Sequence, residues 1–297
     1  MLNTRARAFF AAAALLCVAP ASTALAQTTD SAPITVTGRT PDQVASFVRT
    51  ISTAPGTAEQ LGRWDRTICT SIAGLPARQG QFVADRIAQR AYAVGLAPGE
   101  AGCNPNVSVI VTGDAQAAVR RMFERDPQIF SYRQESNVST PGREAFDRMM
   151  ASDAPVRWWH VTDTVTADGI NLNGDTSMGG MSNVPTARSS GSRLRNEIRQ
   201  DFNRVFIFVD SSRVGNVQLA ALSDYISMVA LAQIDPAADT SAYPTILSLF
   251  KPGEHPAEMT DWDLAYLDGL YHSTRNASSI SQQEREISDR MQGGARS

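Results

Sequence analysis

Two periods of apolar residues run along this chain and predict helices alternating with strands. Val44, Phe47, Val48 and Ile51 recur at three- and four-residue intervals, the spacing of one helical face. Thr40 and Pro41 precede them as N-cap and first helical residue, where a proline forfeits no helical hydrogen bond. A second stripe, Phe82, Val83, Ile87, Ala91 and Val94, predicts a helix over 77–94 that Gly95 ends. Val107–Val111 reads as a strand, and Asp114 as the cap of a helix reaching Glu124. Val156–Val161 predicts another strand, and Arg204–Asp210 is the strongest strand signal in the chain. Helices follow over 217–234, with Leu219, Leu222, Ile226, Val229 and Ala230 as a core-facing stripe, and over 261–271 behind a Thr260 cap. Residues 54–76 read as irregular, 131–150 as mixed, and 162–195 as a long, polar, glycine-rich loop. From Ser273 a polar tail predicts a solvated helix. The alternation defines an α/β (α+β) class, a mixed sheet with packed helices.

The first residues break this pattern. Arg5 and Arg7 lead an apolar run from Ala8 to Ala19, and Ala24-Leu25-Ala26 offers a small-x-small cleavage site before Gln27. Residues 1–26 therefore read as a secretory signal peptide. The apolar run is little over half of the ~20 residues a spanning helix needs, and no later stretch reaches that length. A lipoprotein site at Cys17 is disfavoured, because Leu16 stands where a small residue is wanted. The expected organisation is a signal peptide at 1–26, an N-terminal strand and helix at 27–60, and one α/β domain at 61–273. That domain carries the 162–195 loop, and a polar tail follows at 274–297. The expected location is the periplasm or the exterior. Ile34–Gly38 alternates β-branched and polar residues, which makes it a strand. It resembles the segment by which outer-membrane receptors engage an energy-transducing partner, but no barrel-sized chain follows.

Signal removal leaves Cys69 and Cys103, an even pair in an exported chain, and so predicts a disulfide. Closing that loop would stabilise the fold by roughly 3–4 kcal/mol. Arg5 and Arg7 leave with the signal, so 25 of the 27 basic residues face 30 acidic ones, a net charge of −5. No long basic stripe occurs, which argues against nucleic acid as a partner.

Candidate chemistry is sparse. The histidines are His160, His255 and His272, and no two have the spacing that sets imidazoles on one helical face for zinc. His160 follows two tryptophans in a strand, which suits a buried, hydrogen-bonded ring. His255 sits in a proline-flanked turn and His272 at a helix end. A hydrolase would need a nucleophile, a base and an orienting acid. Ser177 with His160 and Asp163 is the one combination on offer, without a Gly-x-Ser-x-Gly elbow. Asp168–Asp175 fails the EF-hand pattern, because Gly169 and Gly180 fall where ligands are required. No phosphate loop is present, and no cofactor or metal is implied. Lys251, the sole lysine, lies in a Lys-Pro-Gly turn.

Residues 204–271 run strand, helix, compact turn, helix, and close on Met259-Thr260-Asp261-Trp262-Asp263-Leu264 through Leu270-Tyr271. This stretch resembles the zincin metalloproteases, the metzincin branch in particular. There a helix carries His-Glu-x-x-His-x-x-Gly-x-x-His, a methionine turn follows, and the next helix opens Leu-Thr/Ser-x-x-Asp and closes Leu-Tyr. The resemblance places the two helical histidines at Ser223 and Ser227, the glutamate at Asp224 and the third ligand at Gln233. All three zinc ligands are thus replaced by neutral groups that bind zinc poorly, and the turn at 244–250 lacks its methionine. The whole chain also resembles a family of exported alphaproteobacterial proteins. The leading expectation is a non-catalytic, degenerate zincin-like binding module, a pseudoenzyme that takes a peptide along a sheet edge. The rivals are a hydrolase built on His160 with Ser177 or a carboxylate, and a cell-envelope interaction protein engaged through residues 34–38.

Overall fold

The strongest strand signal lies at the middle of the sheet. In the computed structural model, residues 39–56, 58–131, 138–172 and 195–293 are described. Thr70–Ala73 (β1), Val107–Thr112 (β2), Val138–Ser139 (β3), Val156–Thr166 (β4) and Ile198–Asp210 (β5) form a five-stranded sheet in the order β1-β2-β5-β4-β3. β1, β2 and β5 run parallel, while β4 is antiparallel to both β5 and β3. This is the mixed sheet with packed helices that the pattern predicts. The expected signal peptide, the strand expected at 34–38 and Ser177 all lie outside the described residues.

Strand alternation divides the core in two. Val107, Val109, Val205, Ile207, Val209 and Trp158 face the larger cluster. Pro41–Ile51 (α1), Ala77–Ala93 (α2), Leu219–Leu231 (α5), Asp261–His272 (α6) and Ile280–Gly293 (α7) contribute its helical side. The opposite face carries Trp159, Val161, Phe206 and Phe208 against Ala115–Arg125 (α3) and Arg143–Ala151 (α4). Caps fall where the sequence puts them. Thr40 and Thr260 both form capping boxes, and the Asp114 carboxylate accepts from the Ala117 amide.

Four expectations need correction. The loop predicted at 162–195 begins later, because β4 continues to Thr166, and β5 begins at Ile198, ahead of the strand predicted from Arg204. The polar residues there are held by one another: Gln200 bonds the Thr162 and Thr164 hydroxyls, and Arg199 bonds Asp201. A strand that satisfies its polar side chains internally shows no apolar alternation. The stretch 54–76, read as irregular, holds β1, and the mixed stretch 131–150 resolves into β3 and most of α4. α5 is not amphipathic but buried on all sides from Ala221 to Leu231, including Ser223, Asp224 and Ser227. Finally, α7 is no solvated tail. Its Ile287 and Met291 are fully buried, and the Gln283 side chain accepts from the Leu61 amide at 2.7 Å and donates to the Thr274 carbonyl.

Candidate functional site

The polar groups of α5 are engaged in structural hydrogen bonds. Ser223 Oγ donates to the Leu219 carbonyl at 2.6 Å, and Ser227 Oγ donates to the Ser223 carbonyl at 2.7 Å, both within α5. Asp224 is completely buried and is clasped by two arginines of α2. Arg86 and Arg90 each reach both carboxylate oxygens, at 2.7–2.9 Å, and the Met259 amide donates a fifth hydrogen bond. Burial alone raises this carboxyl, but the bonds from Arg90, Arg86 and Met259 outweigh it and hold Asp224 below the ordinary carboxylate range. With every lone-pair direction engaged, it has no capacity to act as a base. Gln233 lies just beyond α5, where its Oε1 accepts from the Gly62 amide at 3.2 Å. Any side chain at Gly62 would collide with that oxygen and with Phe202 and Thr162, so only glycine lets the backbone come this close.

His160 and Asp163 do not meet. A bulge at Asn203 absorbs the extra residue on β5, since Val161 pairs with Arg204 and Thr162 with Phe202. β4 therefore keeps its alternation, and His160 points to one face while Asp163 points to the other. The His160 ring stacks on Phe202 at 4.9 Å, and its Nε2 donates to the Val229 carbonyl at 2.8 Å. Burial lowers its pKa to about 4, so the ring is neutral at physiological pH. Asp163 Oδ2 accepts from Asn203, with Arg66 at 3.7 Å. The two described members of the Ser177–His160–Asp163 combination are thus held apart, each by its own structural partners. His255 and His272 are exposed, and His272 Nδ1 lies 2.8 Å from the Asp268 carbonyl and 3.0 Å from its carboxylate. Cys69 and Cys103 form a disulfide with 6.0 Å between their Cα atoms. Among the described residues no cluster of three or more metal-ligating side chains occurs.

Sequence reasoning missed a cleft of about 630 Å³ that opens along β4. The Asp210 amide donates to the Pro155 carbonyl at 2.8 Å, which marks Pro155 and Asp210 as a hydrogen-bonded pair. In an antiparallel ladder these pairs alternate, so Arg157 and Trp159 direct their backbone groups to Phe208 and Phe206. The N–H and C=O groups of Val156, Trp158 and His160 then point the other way. On that side β3 reaches only Thr162 and Asp163. Among the described residues nothing pairs with the first half of β4, and its outward edge forms part of the cleft lining. Ala145, Arg148 and Met149 of α4 line one wall; Thr53, Ala54, Ile234 and Ala237 line the other.

Two residues of the cleft lining carry buried donors without a partner among the described residues. Arg157 is 4 % exposed, and its Nε and Nη1 have no partner among the described residues. Its one hydrogen bond runs from Nη2 to the Ala154 carbonyl at 3.4 Å. Burial lowers its pKa, and the nearby Asp210 charge offsets this only in part. Gln233 Nε2 is the second unused donor, on the opposite wall. One signal was available in the sequence: Arg157 is the single charge in the run Val156–Val161. No local pattern, however, shows which strand edge stays unpaired. Nor do other proteins supply a guide: the chain matches no known protein family, no curated protein and no solved structure.

Proposed function

We propose that this protein is an exported, non-catalytic binding module with a degenerate zincin-like core, and that it takes an extended peptide along the free edge of β4. The observation that carries this reading is a row of unpaired backbone groups at Val156, Trp158 and His160 lining a cleft. Natural sheets pair, cover or charge such edges, because an open one invites another strand. An edge set in a walled cleft admits a single chain and excludes a second sheet. Val156–Val161 is long enough to pair with about six residues of extended peptide at 3.3 Å per residue, and the main-chain bonds would supply affinity irrespective of sequence. The zincin-like part is supported by the order β5, α5, a tight 3-10 turn at Ile246–Ser248, then α6. Absence of catalysis is supported by the saturated Asp224 and by the engagement of Ser223 and Ser227 with their own helix. The Cys69–Cys103 disulfide supports an oxidising compartment.

The test is selection from a displayed library of unstructured peptides, followed by amide exchange on the complex. Bound peptide should slow exchange at Val156, Trp158 and His160. Ala237→Trp, at an exposed position on the cleft wall, should block capture without unfolding the protein. Failure to select any peptide, or protection confined to another surface, would sink the reading.

A further inference from the structure

We propose that the peptide taken by this cleft carries a carboxylate, and that Arg157 is the residue that binds it; this rests on the β4-edge reading above. A guanidinium has five N–H donors in a fixed fork, suited to the two oxygens of a carboxylate. Arg157 uses one of them, weakly, and yet is almost entirely withdrawn from solvent. Buried polar groups in folded proteins are nearly always satisfied, so two idle atoms on a buried cation call for a missing partner.

The acids around Arg157 do not fill that role. Asp210 is occupied by the amide and hydroxyl of Ser212 and by the Ala115 amide, with Arg213 at 3.8 Å. Asp114 caps α3, and Asp153 is exposed, 3.7 Å from Arg213. A second cation, Arg148, lines the same wall, and its ion pair with Glu144 is long, at 4.0 Å. The wall that Arg157 shares with α4 is therefore electropositive and short of acceptors.

Geometry also fixes how the carboxylate arrives. A strand added to β4 alternates its side chains between the two walls. The residue beside Arg157 points to the α4 wall, and its neighbours in sequence point to the wall that Gln233 lines. The carboxylate comes either from an aspartate or glutamate side chain at that position or from the C-terminus of the bound peptide.

Synthetic strand-forming peptides of otherwise identical composition separate these sources. One arm places aspartate at successive positions with an amidated end. A second replaces every aspartate by asparagine, and a third keeps asparagine but frees the terminal carboxylate. Binding is read by fluorescence anisotropy. One carboxylate arm should bind at least tenfold more tightly than the neutral arm, about 1.4 kcal/mol. Arg157→Met should erase that preference and leave the neutral arm unchanged. Because the guanidinium has so little to lose in the free protein, the same variant should melt at an unchanged or higher temperature. Equal binding of all arms, indifferent to Arg157→Met, would mean a guanidinium satisfied by water only; the carboxylate inference would fall and the peptide groove would stand. A marked drop in Tm for Arg157→Met would make the residue structural and overturn the inference as well. Binding by no arm would overturn both readings.

Discussion

Asp224 accepts five hydrogen bonds, four of them from Arg86 and Arg90, and this decides what kind of residue it is. At the position the zincin resemblance assigns to a catalytic glutamate stands a clasp that ties α5 to α2 and to the segment before α6. Removing one partner of a buried ion pair leaves the other charges uncompensated. Asp224→Asn should therefore lower stability by about 3 kcal/mol, read as a shift in denaturant midpoint at constant slope. A change below about 0.5 kcal/mol, the range of ordinary surface substitutions, would contradict the clasp. His160 makes a second prediction at this scale. Burial depresses its pKa from 6.5 to about 4, so between those values the unfolded chain binds a proton that the folded chain refuses. Stability should fall as pH drops from 6.5 to about 4, by an amount on the order of 3 kcal/mol from this group. In His160→Gln that part of the acid sensitivity should be missing when midpoints at neutral and acid pH are compared, and an undiminished slope would count against it.

Among the elements, α7 departs most from its sequence. It reads as a polar tail, because Ser, Gln, Glu and Arg dominate Ile280–Gly293 and its apolar stripe is thin. Yet Ile287 and Met291 sit in the main core, and Ile287 packs so tightly on α6 that a side chain at Gly269 would meet it at 3.0 Å. Burying each such side chain contributes roughly 1.5–3 kcal/mol. Ending the chain after Ser273 should then cost on the order of 5 kcal/mol, a large share of the margin of a domain this size. Thermal unfolding of the shortened protein should broaden and move well down. A transition that matches the intact chain would restore the tail to solvent.

For the whole molecule, mixed strand direction is what creates the candidate site. Three parallel strands, β1, β2 and β5, occupy one side of the sheet, and β4 turns back antiparallel to β5. β3 then covers only the far half of β4, because the chain leaves the sheet after Ser139 to enter α4. The near half is left without a strand partner, at the cleft between α4 and the segments that follow α1 and α5. Edge, cleft and idle guanidinium thus come from one topological event. On the far side of the sheet the Cys69–Cys103 disulfide ties the segment before β1 to the one before β2.

Local physics made a good part of this legible in advance. Apolar periods located α1, α2, β2, α5 and α6, and side-chain caps fixed the starts of α1, α3 and α6 at Thr40, Asp114 and Thr260 to within a residue. The alternation of helix and strand fixed the class, and Cys69 and Cys103 form the disulfide that the sequence predicts. The periods and caps lie within a few residues of the elements they specify. β1 and β3 were illegible because two to four residues carry too little period to read, and the ends of β4 and β5 because their polar side chains satisfy one another. The opposed faces of His160 and Asp163, the clasp on Asp224 and the free edge beside Arg157 were decided by tertiary structure alone. They depend on pairings between segments dozens of residues apart, and which backbone edge finds a partner is a property of the assembled sheet.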